Sequence, residues 1–201
     1  MLVSVLLVVL LPRFSLGAAV SRREVSKTTL VKDALLSMRN VCISKPNLMI
    51  LTSKTKKAYA KEHFGDPLES RQVDINGIEP LSNYQEMTVR LFVPKAFKQL
   101  SIFYAIFEDI LSHLNQTNEE HKIVKKIEAM NRKIKELKRL ARSSTALLPG
   151  KSMAYSNSSL KQQRAVWTKS AFQQENWILG VLREFGNCLI YLEQAFYKFS
   201  V

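Results

Sequence analysis

Hydrophobic and polar positions alternate along four stretches of this chain at the three- and four-residue spacing typical of amphipathic helices. The pattern predicts α-helices over Val25–Ser44, Asn83–Leu114, Glu119–Arg142 and Ala165–Phe199. The third stretch is the most regular, because its apolar residues recur at alternating intervals of four and three: Ile123, Ile127, Met130, Ile134, Leu137 and Ala141. An apolar face of this kind is normally buried in a helical core.

Polar segments that contain turn residues separate the predicted helices. Lys54–Ser82 and Ser143–Arg164 are long connections, whereas Asn115–Asn118 is a tight link between the second and third helices. Pro46 interrupts the first helix, and the apolar residues of Leu48–Leu51 leave open whether that helix resumes. Two long connections around one short turn favour an all-α, long-chain four-helix bundle with up-up-down-down topology. An up-down-up-down bundle ranks second, since it needs only short loops.

The amino terminus has the pattern of a secretion signal. Leu2–Leu11 is an almost unbroken apolar run, too short for a transmembrane helix, which needs ~20 apolar residues. Small residues at Gly17 and Ala19 predict cleavage there, so we expect residues 1–19 to be removed and residues 20–201 to form one secreted domain. The alternative is an uncleaved anchor. No second long apolar run follows, so no stable membrane insertion is expected after cleavage.

Composition supports long helices and a basic surface. The chain of 201 residues is 46% hydrophobic with only 6 Gly and 6 Pro, and few helix breakers favour helices over many short strands. Its formal net charge is +13, a balance that attracts polyanions such as nucleic acid, heparan-type glycosaminoglycans or acidic membranes. The predicted secretion signal argues against nucleic acid as the natural partner.

Much of this positive charge falls on the third predicted helix. Glu119–Arg142 contains nine Lys or Arg residues and four Glu residues. One interpretation is an ordinary solvated helix face. The other is a binding patch for glycosaminoglycans or for an acidic receptor, comprising Lys125, Lys126, Arg132, Lys133 and Arg139.

Two cysteines and two glycosylation sequons give further expectations for a secreted chain. Cys42 and Cys188 fall in the middle of the first and last predicted helices, on apolar faces. They are either joined by a disulfide or remain as two buried thiols, and the sequence leaves both open. Asn115 and Asn157 each begin an Asn-x-Ser/Thr sequon in a predicted turn, which predicts a glycoprotein.

The sequence contains no arrangement that points to catalysis. His63, His113 and His121 are scattered and lack the companion residues of a metal site. The segment Pro149–Ser152 reads PGKS, but a phosphate-binding loop would need a glycine at Thr145 and a preceding strand. We therefore expect no enzyme, no cofactor and no metal, and a protein that acts by binding.

The opening of the last predicted helix carries a family resemblance. Residues 172–184 read FQQENWILGVLRE. This segment resembles the same helix in the leukaemia inhibitory factor, ciliary neurotrophic factor and cardiotrophin branch of the interleukin-6-type cytokines. That branch opens the helix with Phe-x-x-Lys, and in its ciliary neurotrophic factor members an apolar residue, Trp and a Leu-x-Val-Leu run follow. The matching positions here are Phe172, Trp177, Leu179, Val181 and Leu182.

The resemblance implies a secreted cytokine with growth factor activity that crosslinks cell-surface receptors. These receptors would be the shared signal transducer of the interleukin-6 family and a receptor of the leukaemia inhibitory factor type, with activation of Janus kinases and STAT transcription factors. Phe172 occupies the position of the family Phe, but Glu175 stands where the family has Lys, a reversal of charge. The expected receptor-binding residues are Phe172, Gln173 and Glu175.

Trp177 continues the apolar face of the last helix and is expected in the core. Two alternative functions remain. An interferon-like helical cytokine would share everything except the motif at Phe172. A secreted basic helical protein that binds polyanions or membranes, in the manner of an antimicrobial factor, would need only the helices and the charge.

Overall fold

The computed structural model describes residues 13–43, 47–65, 86–117, 121–148 and 164–201, together with residues 73, 75, 77 and 78. A 3₁₀-helix at Arg164–Thr168 precedes the last α-helix. The α-helices are α1 (Arg13–Ile43), α2 (Leu48–Phe64), α3 (Val89–Gln116), α4 (His121–Leu147) and α5 (Ala171–Ser200). Within the described residues there is no strand, so the prediction of an all-α helical bundle is confirmed. None of these helices is long and apolar enough to cross a membrane.

The first predicted helix begins at Arg13 rather than Val25 and ends at Ile43, and a second helix, α2, begins at Leu48. Asn47 caps the new helix, because its side-chain oxygen accepts hydrogen bonds from the backbone N–H groups of Met49 at 2.8 Å and Ile50 at 3.2 Å. Helix α2 ends at Gly65, whose φ of 74° lies in the left-handed region that glycine adopts without strain.

The prediction that Lys54–Ser82 forms one long connection is wrong for its first part, since α2 continues to Phe64. The buried face of α2 includes Thr52 and Thr55, whose polar side chains hid the helical period from the sequence. Their hydroxyl groups donate to the carbonyl groups of Leu48 and Leu51, at 2.8 and 2.7 Å, so both threonine hydroxyls are satisfied despite their burial.

The other predicted helices differ from the structure mainly at their ends. Helix α3 begins at Val89 rather than Asn83, which places Pro94 in its second turn. Proline is tolerated best near the start of a helix, where few carbonyl groups lie behind it. Helix α4 extends beyond Arg142 to Leu147.

The centre of the bundle is aromatic. Phe185 of α5 is fully buried and lies 5.0 Å from Phe103 and 5.3 Å from Phe107, measured between ring centroids. Nearer the other end of α5, the rings of Phe196 and Phe92 are 5.7 Å apart at an interplanar angle of 71°. Such edge-to-face pairs add ~0.5–1.5 kcal/mol each beyond the burial of area.

Helix α5 packs on α1 and α2, on one side, and on α3, on the other. Its contacts with α1 and α2 pair Lys32 with Val201, Arg39 with Glu193, His63 with Glu175, and Phe64 with Phe172. Its contacts with α3 pair Phe92 with Phe196, Gln99 with Cys188, and Phe103 with Phe185. Helix α4 packs on α3 through Asn131 with Glu108, and Lys138 with Tyr104.

Candidate functional site

Phe172 is the most exposed large side chain near the amino-terminal end of α5. It is the second residue of that helix, and 62% of its surface is accessible to solvent. Its ring meets the ring of Phe64 edge to face, with centroids 5.9 Å apart and an interplanar angle of 74°. Phe172 therefore stands off the core, and the first buried residue of α5 is Ile178.

Glu175, at the position of the family lysine, has a partner within the chain. Its Oε1 lies 3.2 Å from Nδ1 of His63, near the end of α2. The His63 side chain is only 9% exposed and its ring lies 4.2 Å from that of Tyr59, so α2 holds it firmly in place. Sequence reasoning treated His63 as a scattered histidine, and no local pattern could have linked it to Glu175. We refer to His63, Phe64, Phe172 and Glu175 as the Phe172 surface.

Gln173 is exposed, but its side chain also stabilises the start of α5. The backbone N–H of Ser170 donates to Oε1 of Gln173 at 3.3 Å, as in a capping box. The side-chain amide of Gln174 donates to the carbonyl groups of Trp167 at 3.0 Å and Lys169 at 2.8 Å. These bonds fix the 3₁₀-helix against the first turn of α5, so the backbone beneath Phe172 is rigid.

Trp177 lies at the edge of the core rather than within it. It is half-buried, and its ring meets that of Trp167 at 5.4 Å and 82°. Trp167 in turn stacks on His113, near the end of α3, at 4.2 Å and 18°. Trp177 therefore packs against the core, with Trp167 covering one side of its ring, but it is only half-buried and not the fully buried core residue that was predicted. Both tryptophans support the end of the bundle that carries the Phe172 surface.

The five predicted basic residues differ in exposure. Lys125, Arg132 and Arg139 are exposed on α4, whereas Lys126 and Lys133 are half-buried on its flank. Lys133 lies close enough to Cys42 of α1 for its charge to lower the pKa of that thiol. The flank with Lys126 and Lys133 therefore faces α1, and the other three side chains point away from the core.

The two cysteines meet where α1 crosses α5. Both are buried free thiols in the structure, and Sγ of Cys188 donates to Oε1 of Gln99 at 3.3 Å. Burial raises the pKa of the Cys42 thiol to about 12, with a further increase from Glu193. Burial, followed by the charge of a deprotonated Cys42, raises the pKa of Cys188 as well. Such thiols are poor nucleophiles, and the structure holds the pair in the reduced form, one of the two states that the sequence leaves open.

The predicted glycosylation sites differ in their placement. Asn115 is exposed in the last turn of α3 rather than in a loop, and the Thr117 hydroxyl lies 3.3 Å from the carbonyl oxygens of His113 and Leu114. Asn157 lies outside the described residues.

No cluster of three or more potential metal ligands is found in the part of the chain that the structure describes. Comparison of the chain with protein-family models, with curated proteins and with solved structures gives no match. The geometry of the Phe172 surface and of the basic face of α4 is therefore the basis for assigning a function.

Proposed function

We propose that this protein is a secreted helical cytokine that binds and crosslinks cell-surface receptors and thereby activates Janus kinases and STAT factors. The observation that carries the proposal is the exposure of Phe172 at the end of the bundle. Aromatic side chains that stand out from a rigid surface are favoured anchors of protein interfaces, because they bury a large area with few rotatable bonds.

The support beneath Phe172 suits such an anchor. Phe64 backs one edge of its ring, and the hydrogen bonds of Gln173 and Gln174 order the turn that precedes it. A side chain already held in its bound position loses less conformational entropy on binding. The Phe172 surface is therefore preorganised for contact with a receptor domain.

The arrangement of the helices supports an up-up-down-down bundle, the topology of long-chain cytokines. Helix α5 runs antiparallel to α1 and α2, because Lys32 contacts Val201 whereas Phe64, later in the chain, contacts Phe172. It also runs antiparallel to α3, because Phe92 contacts Phe196 whereas Phe103 contacts Phe185. Helices α3 and α4 are antiparallel as well, because Tyr104 contacts Lys138 whereas Glu108 contacts Asn131. Two parallel helices followed by two antiparallel to them fit these pairs.

The receptor should differ from the family pattern opposite residue 175. A lysine there would bind acidic or carbonyl groups, whereas Glu175 accepts hydrogen bonds and attracts cations. Because His63 already lies on one side of its carboxylate, a receptor has access mainly to the remaining oxygen lone pairs. The preferred receptor loop therefore presents a lysine, an arginine or backbone N–H groups at this point.

The test measures binding of the mature protein to soluble ectodomains of the shared signal transducer and of the leukaemia inhibitory factor receptor type, followed by STAT phosphorylation in responsive cells. Phe172→Ala should weaken receptor binding by about 30-fold or more, as a hot spot of ~2 kcal/mol would. Leu91→Ala is the control, since Leu91 is 59% exposed on α3 and lies away from the Phe172 surface.

Circular dichroism should show the same helix content in both variants. Equal signalling by Phe172→Ala and the unaltered protein would rule out the Phe172 surface as the receptor site. Binding to none of the family's ectodomains would instead favour receptors of another helical-cytokine class.

A further inference from the structure

The outward face of α4 carries a straight row of cations. Lys125, Arg132 and Arg139 are each exposed and are spaced seven residues apart. Positions seven apart fall almost on one line along a helix, and the buried residues Ile127 and Ile134 occupy the opposite face. With a rise of ~1.5 Å per residue, the three side chains span about 21 Å along the bundle surface.

The charge around this row is strongly unbalanced. Helix α4 contains nine Lys or Arg and two Glu, which leaves a net charge of +7 on this helix out of the formal +13 of the chain. The two acids, Glu128 and Glu136, fall three or four residues from members of the row and offset part of its charge. The exposed side chains of Lys122, Lys135 and Arg142 restore the positive excess. A surface with this density of positive charge attracts anions, and the attraction weakens as salt is added.

Crowding of like charges is also visible at Lys138, on the flank of α4 that faces α3. Its ammonium group lies 4.2 Å from the centroid of the Tyr104 ring. Burial lowers the pKa of Lys138, the neighbouring charges of Lys135 and Arg142 lower it further, and Glu108 opposes them. Lys135 and Arg142 therefore repel Lys138, and an anion bound beside them would relieve that repulsion.

We infer that the row of Lys125, Arg132 and Arg139 binds a linear sulfated polysaccharide of the glycosaminoglycan class, laid along the axis of α4. The ligand chemistry is a chain of closely spaced sulfate and carboxylate groups, which pair with lysine and arginine along a straight row. This binding site is separate from the Phe172 surface and does not depend on the proposed receptor function.

The surroundings of the row favour a polysaccharide over other polyanions. A helix that binds an acidic membrane needs exposed apolar side chains to enter the lipid, and a groove for single-stranded nucleic acid uses aromatic side chains for base stacking. Among the residues described, the exposed large hydrophobic side chains all belong to other helices or to the carboxyl terminus, and none lies on α4. A polysaccharide requires only the charge and the spacing.

The experiment compares two variants that lose the same charge. Lys125→Gln/Arg132→Gln/Arg139→Gln removes the row on α4, and Lys54→Gln/Lys57→Gln/Lys61→Gln removes a comparable exposed row on α2, where only one further lysine is present. All six side chains are exposed, so both variants should keep the helix content of the unaltered protein. Affinity for heparin oligosaccharides is measured by calorimetry at several salt concentrations.

The α4 variant should bind heparin at least about tenfold more weakly at 0.15 M salt, with a shallower dependence on salt because fewer counterions are displaced. The α2 variant should lose no more than about threefold, the effect of net charge alone. For the unaltered protein, affinity should rise with oligosaccharide length until the chain spans about 21 Å and then level off.

Three results would overturn the inference. Equal losses in the two variants would mean that net charge, and not the row, causes binding. Equal affinity for heparin and for a DNA duplex of matched charge would remove the specificity for polysaccharide. A protein that binds vesicles of anionic lipid but not heparin, and loses the vesicle binding with the α4 substitutions, would have a membrane surface as its partner instead.

Discussion

Gly186 offers a sharp test of how α5 packs on α2. It lies inside α5, where glycine is less favourable than alanine by ~0.8–1.0 kcal/mol because its backbone loses more freedom on folding. A Cβ atom at this position would lie 3.8 Å from Cγ2 of Thr52, which is an ordinary van der Waals distance. Gly186→Ala should therefore stabilise the protein without disturbing the helix contact.

The expected gain in the free energy of unfolding comes from helix propensity and from the burial of the added methyl group. The helix propensity contributes ~1 kcal/mol, and the added methyl group, which is only half-buried, contributes less than the ~0.8 kcal/mol of a fully buried CH₂. The sum is about 1–1.5 kcal/mol in the free energy of unfolding. For a domain of this size, that gain raises the melting temperature by roughly 2–6 °C.

The assay is urea unfolding followed by circular dichroism at the helix band, with Gly65→Ala as the control. Gly65 has open space around its Cβ position but a φ of 74°, so alanine there should cost ~1–2 kcal/mol through backbone strain alone. A destabilised Gly186→Ala would refute the reasoning, since it would mean that α2 and α5 approach more closely than described. An unchanged Gly65→Ala would refute the assigned end of α2.

Removal of an aromatic ring should lower the free energy of unfolding more where the ring is more deeply buried. Phe185 is fully buried, so Phe185→Ala should destabilise by ~3–5 kcal/mol, whereas Trp177 is half-buried, so Trp177→Ala should destabilise by only ~1–3 kcal/mol, as measured by urea unfolding. Thiol titration of protein prepared without reductant should detect two thiols in denaturant and almost none in the folded state; no thiols in denaturant would instead demonstrate the disulfide between Cys42 and Cys188. Burial raises the pKa of the Cys42 thiol from 9.0 to about 12, so the folded state disfavours the thiolate. The free energy of unfolding should therefore be unaffected by this group below pH 9 and fall by up to about 1.4 kcal/mol per pH unit between pH 9 and pH 12. Cys42→Ala should reduce this alkaline loss of stability.

Sequence periodicity was sufficient where the buried face is mainly apolar. Helices α4 and α5 were predicted with small errors at their ends, because residues such as Ile127, Ile134 and Phe185 recur at helical spacing and are all buried. The exposure of Phe172 was also predictable, since it stands off that apolar face among polar neighbours.

Helix α2 was missed beyond its first turn for a physical reason. Its core face uses Thr52, Thr55 and Ala60, side chains that a hydrophobicity pattern scores as polar or neutral. Threonine can be buried in a helix because its hydroxyl bonds to a carbonyl one turn earlier, so the pattern understates the burial. The pairing of His63 with Glu175 depends on how α2 and α5 meet, which local patterns do not contain.

The contact between His63 and Glu175 also limits how this surface can change during evolution. A carboxylate and an imidazole that touch across two helices form one recognition unit, so a substitution at either position alters what its neighbour presents. A lineage in which position 175 became lysine would place an ammonium group against the imidazole, and a compensating change at position 63 should accompany it. A change in what the Phe172 surface presents therefore requires two coordinated substitutions, and homologous chains should inherit the two positions as a pair.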